Sequence, residues 1–363
     1  MEDLVTSGSH GTPVLRARGL RVLVTGHTGF KGAWLCEWLV QSGAGVFGLA
    51  LPPEREDALF STLRLSQRLQ HMVCDIRDAA ALTDAVRKCD PEIIFHLAAQ
   101  ALVRRSYREP LLTWETNVQG TLNVLEAARA LQRPVTVVAI TTDKVYRNRE
   151  WEFAYREEDE LGGHDPYSAS KAACELAVAS WRASFGSAQG VTVVTARAGN
   201  VLGGGDWSED RIVPDCFRAW KAGRSVELRR PGSTRPWQHV LDPLAGYIAL
   251  AAHARSDNRA IDTCNFGPGA AGDRTVATLV EALSALEDGR RWSAVDSNGP
   301  HEAHALALSI DRARLRLGWT PRLGFEETVE WTNAGYAAGA ETLPKVIERQ
   351  LADYEARARV LCA

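Results

Sequence analysis

The sequence has 363 residues, 45% of them hydrophobic and 24% charged, with a formal net charge of −3. That balance suits one large or two modest soluble domains and gives no reason to expect a nucleic-acid-binding face. Seven scattered cysteines (Cys36, Cys74, Cys89, Cys174, Cys216, Cys264, Cys362) without a C-x-x-C pattern speak against a disulfide framework or a zinc site, and for reduced thiols in a cytoplasmic protein.

Residues 1–18 read as a disordered tail without a signal-peptide core, and no apolar run downstream reaches membrane-spanning length. Val22-Leu23-Val24 reads as a first buried strand. The chain then turns through Gly26, Gly29 and Gly32 into a packed helix, Ala33 to Val40. A strand, a glycine turn and a helix bring backbone N–H groups up to a phosphate, although three glycines in a tight corner also have a purely structural reading. Further strands are expected at Val46–Ala50, Met72–Asp75, Glu92–Leu97, Val135–Ile140 and Val191–Arg197. Helices are expected at Ala79–Cys89, Asn117–Leu131 and around residues 167–185. Apolar strands alternating with helices imply an α/β protein with a doubly wound parallel sheet over residues 19–197. Residues 198–363 then form a smaller lobe and C-terminal helices. Ligands of such sheets bind at the carboxyl ends of the strands, so the chemistry is expected there.

Two stretches carry it. Tyr167-Ser168-Ala169-Ser170-Lys171 sets a phenol and an ammonium four residues apart on one helical face. A neighbouring ammonium favours the phenolate, which lets Tyr167 take a proton from a hydroxyl being oxidised. Thr142-Asp143-Lys144 follows the fifth strand directly, with a hydroxyl, a carboxylate and an amine at a strand end. The bland alternatives are a solvated helix face and a local Asp turn.

These residues carry a resemblance. The chain resembles the extended short-chain dehydrogenase/reductases, a group of nucleotide-sugar epimerases and 4,6-dehydratases with a Rossmann-type sheet. Gly26-His27-Thr28-Gly29-Phe30-Lys31-Gly32 is similar to the group's NAD loop, Asp75-Ile76 to its adenine contact, and His96-Leu97-Ala98-Ala99-Gln100 to its fourth-strand cofactor motif. Within the group the chain resembles the CDP-glucose 4,6-dehydratase family. That narrower match rests on the glycine loop, Thr142-Asp143-Lys144 with Asn148 to Trp151, Arg197 to Trp207, and Arg235 to Val240. Asp143-Lys144 stands where dehydratases of the dTDP-glucose type carry Asp-Glu; Val145 replaces the family's usual cysteine.

The resemblance implies a reaction in which C4 of a nucleotide-linked hexose is oxidised, water leaves across C5 and C6, and hydride returns to C6. Tyr167 takes the 4-hydroxyl proton, Thr142 holds that hydroxyl, and Lys171 assists Tyr167 and holds NAD. Lys144 is the base at C5, and Asp143 protonates the departing 6-hydroxyl. Arg235 is the candidate pyrophosphate clamp, and Gln100, Arg105, Asn117, Asn200, Arg211 and His239 are further substrate candidates. Trp207 and Trp237 either wall the pocket or pack in the core. His27 and Lys31 add positive charge to the glycine turn, and no carboxylate follows the second strand until Glu54. Both features leave NAD over NADP selectivity open and imply a loosely held cofactor. An epimerase or a dehydratase of another NDP-hexose is the alternative within enzymes, and a non-catalytic dinucleotide sensor the alternative outside them. Members of the group often dimerise, which here would pair the Asn117–Leu131 and Tyr167–Phe185 helices.

Overall fold

The structure is a computed structural model that describes residues 17–186, 190–256, 261–269, 273–295 and 305–360. The predicted tail lies outside the described residues except for Ala17 and Arg18, and Ala17 is buried in the core.

Seven strands form one wholly parallel sheet: β1 (Arg21–Thr25), β2 (Gly45–Ala50), β3 (Gln70–Val73), β4 (Ile93–His96), β5 (Val135–Ile140), β6 (Val191–Ala198) and β7 (Thr263–Phe266). In space they run β7-β6-β5-β4-β1-β2-β3. The order reverses between β1 and β4, which opens a crevice at their carboxyl ends. All residues of β4 and β5 are buried, as befits central strands covered on both faces, whereas β3 is partly exposed at one edge. Successive side chains alternate between two cores. Val22, Val24, Phe95 and Val138 join the core under α1 (Phe30–Gln41). Leu23, Ile94 and Val137 join the core under α2 (Ala79–Cys89), α3 (Gly120–Arg129) and α4 (Pro166–Trp181).

The six predicted strands are present, and the first helix starts earlier than expected, at Phe30. The third strand stops before Asp75, whose carboxylate instead accepts the Arg77 backbone N–H at 2.9 Å. The seventh strand was not predicted. It and α5 (Leu241–Arg255), which packs on β5 and β6, come from beyond residue 198 and belong to the sheet layer. The rest of that part forms short strand pairs, Thr234–Pro236 with Asp273–Thr275 and Val226–Leu228 with Trp292–Ala294. Around them lie helices Ile212–Lys221, Val276–Ser284 and Phe325–Ala337. No helix among the described residues is long and apolar enough to cross a membrane.

The last helix, Leu343–Val360, docks on the sheet domain through a buried carboxylate. Asp242, in the first turn of α5, accepts the Tyr354 hydroxyl and the Arg322 backbone N–H, each at 2.8 Å. Burial pushes its carboxyl up to about 6, against the hydrogen bonds from Arg322 and Tyr354. A raised carboxyl favours the folded state while protonated, and that advantage fades as pH rises from about 4 through about 6. Asp242→Asn should therefore gain stability relative to wild type between pH 4 and pH 7.5, by on the order of 3 kcal/mol. Denaturant melts at the two pH values check this, and an equal effect at both would contradict it.

Candidate active site

β1 ends at the glycine corner. Gly26 has φ +74°, and a Cβ there would lie 2.6 Å from the backbone nitrogen of Ala98. A Cβ on Gly32 would lie 2.2 Å from the Gly26 carbonyl oxygen, so the turn closes only on bare backbone. Gly29 serves a different end. It is the N-cap of α1, with no side-chain cap and no acid in the first turn, and its Cβ position is open apart from Gly26 O at 3.4 Å. An uncapped helix N-terminus behind a side-chain-free approach suits an anionic pyrophosphate. The residues present thus fit the phosphates of a dinucleotide.

The two basic residues of this corner turn away from it. His27 is buried, stacks edge-on to Phe60, and shares a 2.7 Å hydrogen bond between its Nε2 and Nδ1 of His71. It fills the space left by Gly48, where a Cβ would lie 2.3 Å from the imidazole. Burial, then the nearby His71, pushes its pKa down to about 4, so at neutral pH it brings no charge. The expectation of positive charge at His27 is corrected on this ground. Lys31 reaches inward, 3.4 Å from the Tyr247 hydroxyl. Burial lowers its pKa to about 7, with the charges of Arg211, Lys171 and Lys144 acting in the same sense and Asp143 against.

The strand ends deliver the chemistry. Just past β5, Asp143 is buried and accepts hydrogen bonds from the Thr142 hydroxyl at 2.8 Å and the Lys144 ammonium at 3.0 Å. Lys144 also donates to Asn200 Oδ1 at 3.4 Å, which ties the end of β5 to the segment after β6. Tyr167, in the first turn of α4, lies within hydrogen-bonding reach of Thr142. Burial raises its pKa to about 12, and the positive charge of Arg211 opposes that rise. The expected influence on the phenol thus comes first from Arg211 rather than Lys171. Lys171 is buried, donates to the Ile140 carbonyl at 3.1 Å, and has its pKa lowered by burial, against Cys174 and Glu175.

One cleft of about 1740 Å³ joins Gly26, Gly29, Phe30, Lys31, Gly32, Asp75, Ile76, Leu97, Ala98, Ala99, the Thr142–Lys144 cluster, Tyr167 and Lys171. Gln100, Arg105, Asn200, Arg211, Arg235, Trp207 and Trp237 also line it. The Gln100 side chain is spent locally, on the Leu102 backbone and the Thr113 hydroxyl. Arg105 is held by Glu54 at 2.7 Å and Glu109 at 3.0 Å. Arg235 donates to the Thr234 carbonyl and sits on the strand pair of the smaller lobe. Two candidates lie behind the cleft wall. Asn117 is buried and spends its amide on the Gln100 backbone and Ser170. His239 is buried edge-on to Trp34 and Trp331. His27 is likewise absent from the cleft lining.

Three features escaped the sequence reading: Tyr247 opposite Lys31, the Arg104–Asp210 ion pair at 3.5 Å across the cleft mouth, and a buried Glu175–Arg197 pair behind the catalytic helix. Only Glu175 left a signal, since it stands one helical turn beyond Lys171 and shares its face.

Comparison with known proteins agrees with this architecture. The chain is 43% identical over 348 residues to a CDP-glucose 4,6-dehydratase of Salmonella typhimurium, covering 93% of this chain and 96% of that protein. It is 28% identical to a dTDP-glucose 4,6-dehydratase of Xanthomonas campestris, covering 87% and 95%. Among solved structures, the fold is shared with a dTDP-glucose 4,6-dehydratase from Bacillus anthracis in complex with NAD. That match has a TM-score of 0.75 at 20% identity and covers 90% of this chain and all of that one. The family model described as GDP-mannose 4,6 dehydratase matches residues 23–332, and the chain belongs to that family.

Proposed function

We propose that this protein is an NAD-dependent nucleotide-sugar 4,6-dehydratase that converts CDP-glucose to CDP-4-keto-6-deoxyglucose. The observation that carries this reading is the 43% identity, over 93% of the chain, to a CDP-glucose 4,6-dehydratase. The Asp143–Lys144 pair at the end of β5 supports it, because elimination needs a base at C5 and an acid at O6 in addition to the oxidising tyrosine.

Gly26, Gly29 and Gly32, with Asp75, Ile76 and Leu97 to Ala99, would hold NAD, which when bound would supply a hydride acceptor and donor. The protein supplies the proton steps. Tyr167 takes the 4-hydroxyl proton while Thr142 orients that hydroxyl. The resulting C4 ketone acidifies the C5 hydrogen for Lys144, and Asp143 protonates the departing 6-hydroxyl. These roles demand a neutral amine and a protonated carboxyl, whereas the two side chains also suit an ion pair. Burial favours both uncharged forms, whereas the 3.0 Å ion pair opposes them. Arg235 and Arg211 face the substrate diphosphate, with Asn200 beside the sugar.

A panel of CDP-, dTDP-, GDP- and UDP-glucose with added NAD tests the reading. A 4-keto-6-deoxy product, with its mass lower by one water, is expected from CDP-glucose in clear preference to the others. An epimerised or unchanged hexose would refute it. Lys144→Met should retain C4 oxidation while losing exchange of the C5 hydrogen with solvent deuterium, with overall turnover down by about 10²–10⁴. Normal exchange in that variant would move the base elsewhere.

We propose further that the protein is a homodimer built on α3 and α4. In support, Leu176 on α4 is 61% exposed, and Leu111, Trp114 and Phe185 add exposed apolar surface on neighbouring segments. Leu176→Glu should convert the dimer to a monomer in light scattering. A wild-type monomer, or an unchanged dimer in the variant, would argue against this interface.

A further inference from the structure

Behind the catalytic helix, Glu175 lies on α4 one turn beyond Lys171, and both its side chain and that of Arg197 on β6 are only 4% exposed. The two are joined by a forked pair, Nε to Oε1 at 3.0 Å and Nη2 to Oε2 at 2.9 Å. The same carboxylate accepts the hydroxyls of Thr195 at 2.8 Å, Thr263 at 3.3 Å and Thr141 at 2.5 Å. Burial works against the charge on Glu175, yet Arg197 and the hydroxyls hold its pKa below the usual carboxylate range.

Thr195, Arg197 and Thr263 belong to β6 and β7 and tie the carboxylate to those strands. Thr141 is different. It is the first residue past β5 and precedes Thr142, so its bond to Glu175 is the contact of this group that reaches the catalytic strand end. One turn earlier on the same helix, Lys171 grips the preceding residue through the Ile140 carbonyl at 3.1 Å. The helix carrying Tyr167 thus holds the strand end carrying Thr142, Asp143 and Lys144 at two successive rungs.

We propose that Glu175 is a positioning residue for the proton-transfer steps, and that it acts through the Thr141 hydroxyl to set Thr142–Lys144 against Tyr167. The inference rests on the dehydratase reading. It gives a buried ion pair, which is a poor source of net stability, a duty in the chemistry. Glu175 is absent from the cleft lining, and Thr141, which lines it, spends its hydroxyl on Glu175. Losing the contact should therefore slow turnover without weakening substrate binding.

Thr141→Val tests this with little change in volume and leaves Glu175 paired to Arg197. The substrate is whichever of the four nucleoside-diphosphate glucoses the wild type turns over. For T141V, kcat is expected to fall by about 10- to 100-fold, with KM within about twofold of wild type. T141S, which restores the hydroxyl, should recover most of the loss. Wild-type kcat in T141V would overturn the inference and leave the function standing. So would a fall in T141V that T141S does not rescue. Should T141V fail to fold, Thr141→Ala takes its place on the same criteria. A wild type inert toward all four sugars would refute the dehydratase reading, and the inference with it.

Discussion

The carboxyl edge of the sheet is braced by one buried charge pair. Glu175 and Arg197 are both nearly inaccessible, and the guanidinium is completed by the Tyr146 hydroxyl at 2.9 Å and the Glu157 carbonyl at 3.0 Å. Burying two charges is tolerable only when every lone pair and N–H finds a partner, and breaking such a pair from one side costs about 3–5 kcal/mol. The network therefore admits little freedom between α4, β5, β6 and β7. The apolar residues around it allow sliding, whereas the forked geometry fixes a single register. Tyr146 extends the constraint, since its hydroxyl also donates to Asn265 on β7 at 2.7 Å.

Within that frame, the electrostatics of the cleft are those of several cations around one buried carboxylate. Lys144, Lys171 and Arg211 act with Asp143 on Lys31, and Arg211 and Asp143 act on Tyr167. With Tyr167 raised to about 12, the phenolate is scarce in the free protein at neutral pH. The strongest influence opposing that rise is Arg211, which belongs to the smaller lobe as the N-cap of the Ile212–Lys221 helix. The acidity of the phenol is thereby coupled to how the lobe meets the sheet. The Arg211 contact to the Ala101 carbonyl at 3.4 Å, the Arg104–Asp210 pair and the Arg108–Glu209 pair are among the bonds at that meeting place.

Much of this was legible in the sequence, for physical reasons. Strands covered on both faces read as continuous apolar runs, so β1, β2 and β4 to β6 were found within a residue or two. β7 was missed because Thr263-Cys264-Asn265-Phe266 is short and half polar. Its partner β6 ends 65 residues upstream, and its polar side chains find distant partners: Glu175 for Thr263, and Tyr146, Tyr155 and Ser309 for Asn265. The glycine corner and Thr142, Asp143 and Lys144 could be read because each follows a strand end, where topology places ligands, and Tyr167 and Lys171 because their four-residue spacing sets them on one helical face. Asn117, His239 and His27 were misplaced because spacing shows which residues are near the cleft but not which way they face. Direction is set by distant partners: Ser170 for Asn117, two tryptophans for His239, and the void at Gly48 for His27.

The glycine corner is where this matters most. With His27 neutral against His71, the charge expected there reduces to Lys31. A lysine lowered to about 7 carries its proton below that pH and loses it above, so the positive charge of the cleft falls by one through the neutral range. That charge is not directed at the helix N-terminus. The side chain leaves the turn at α1 and ends beside Tyr247, within the field of Lys171 and Asp143. The corner itself then offers only backbone, at the uncapped first turn behind Gly29. The lysine ends instead among Arg211, Lys171, Lys144 and Asp143, whose charges bear on its own protonation.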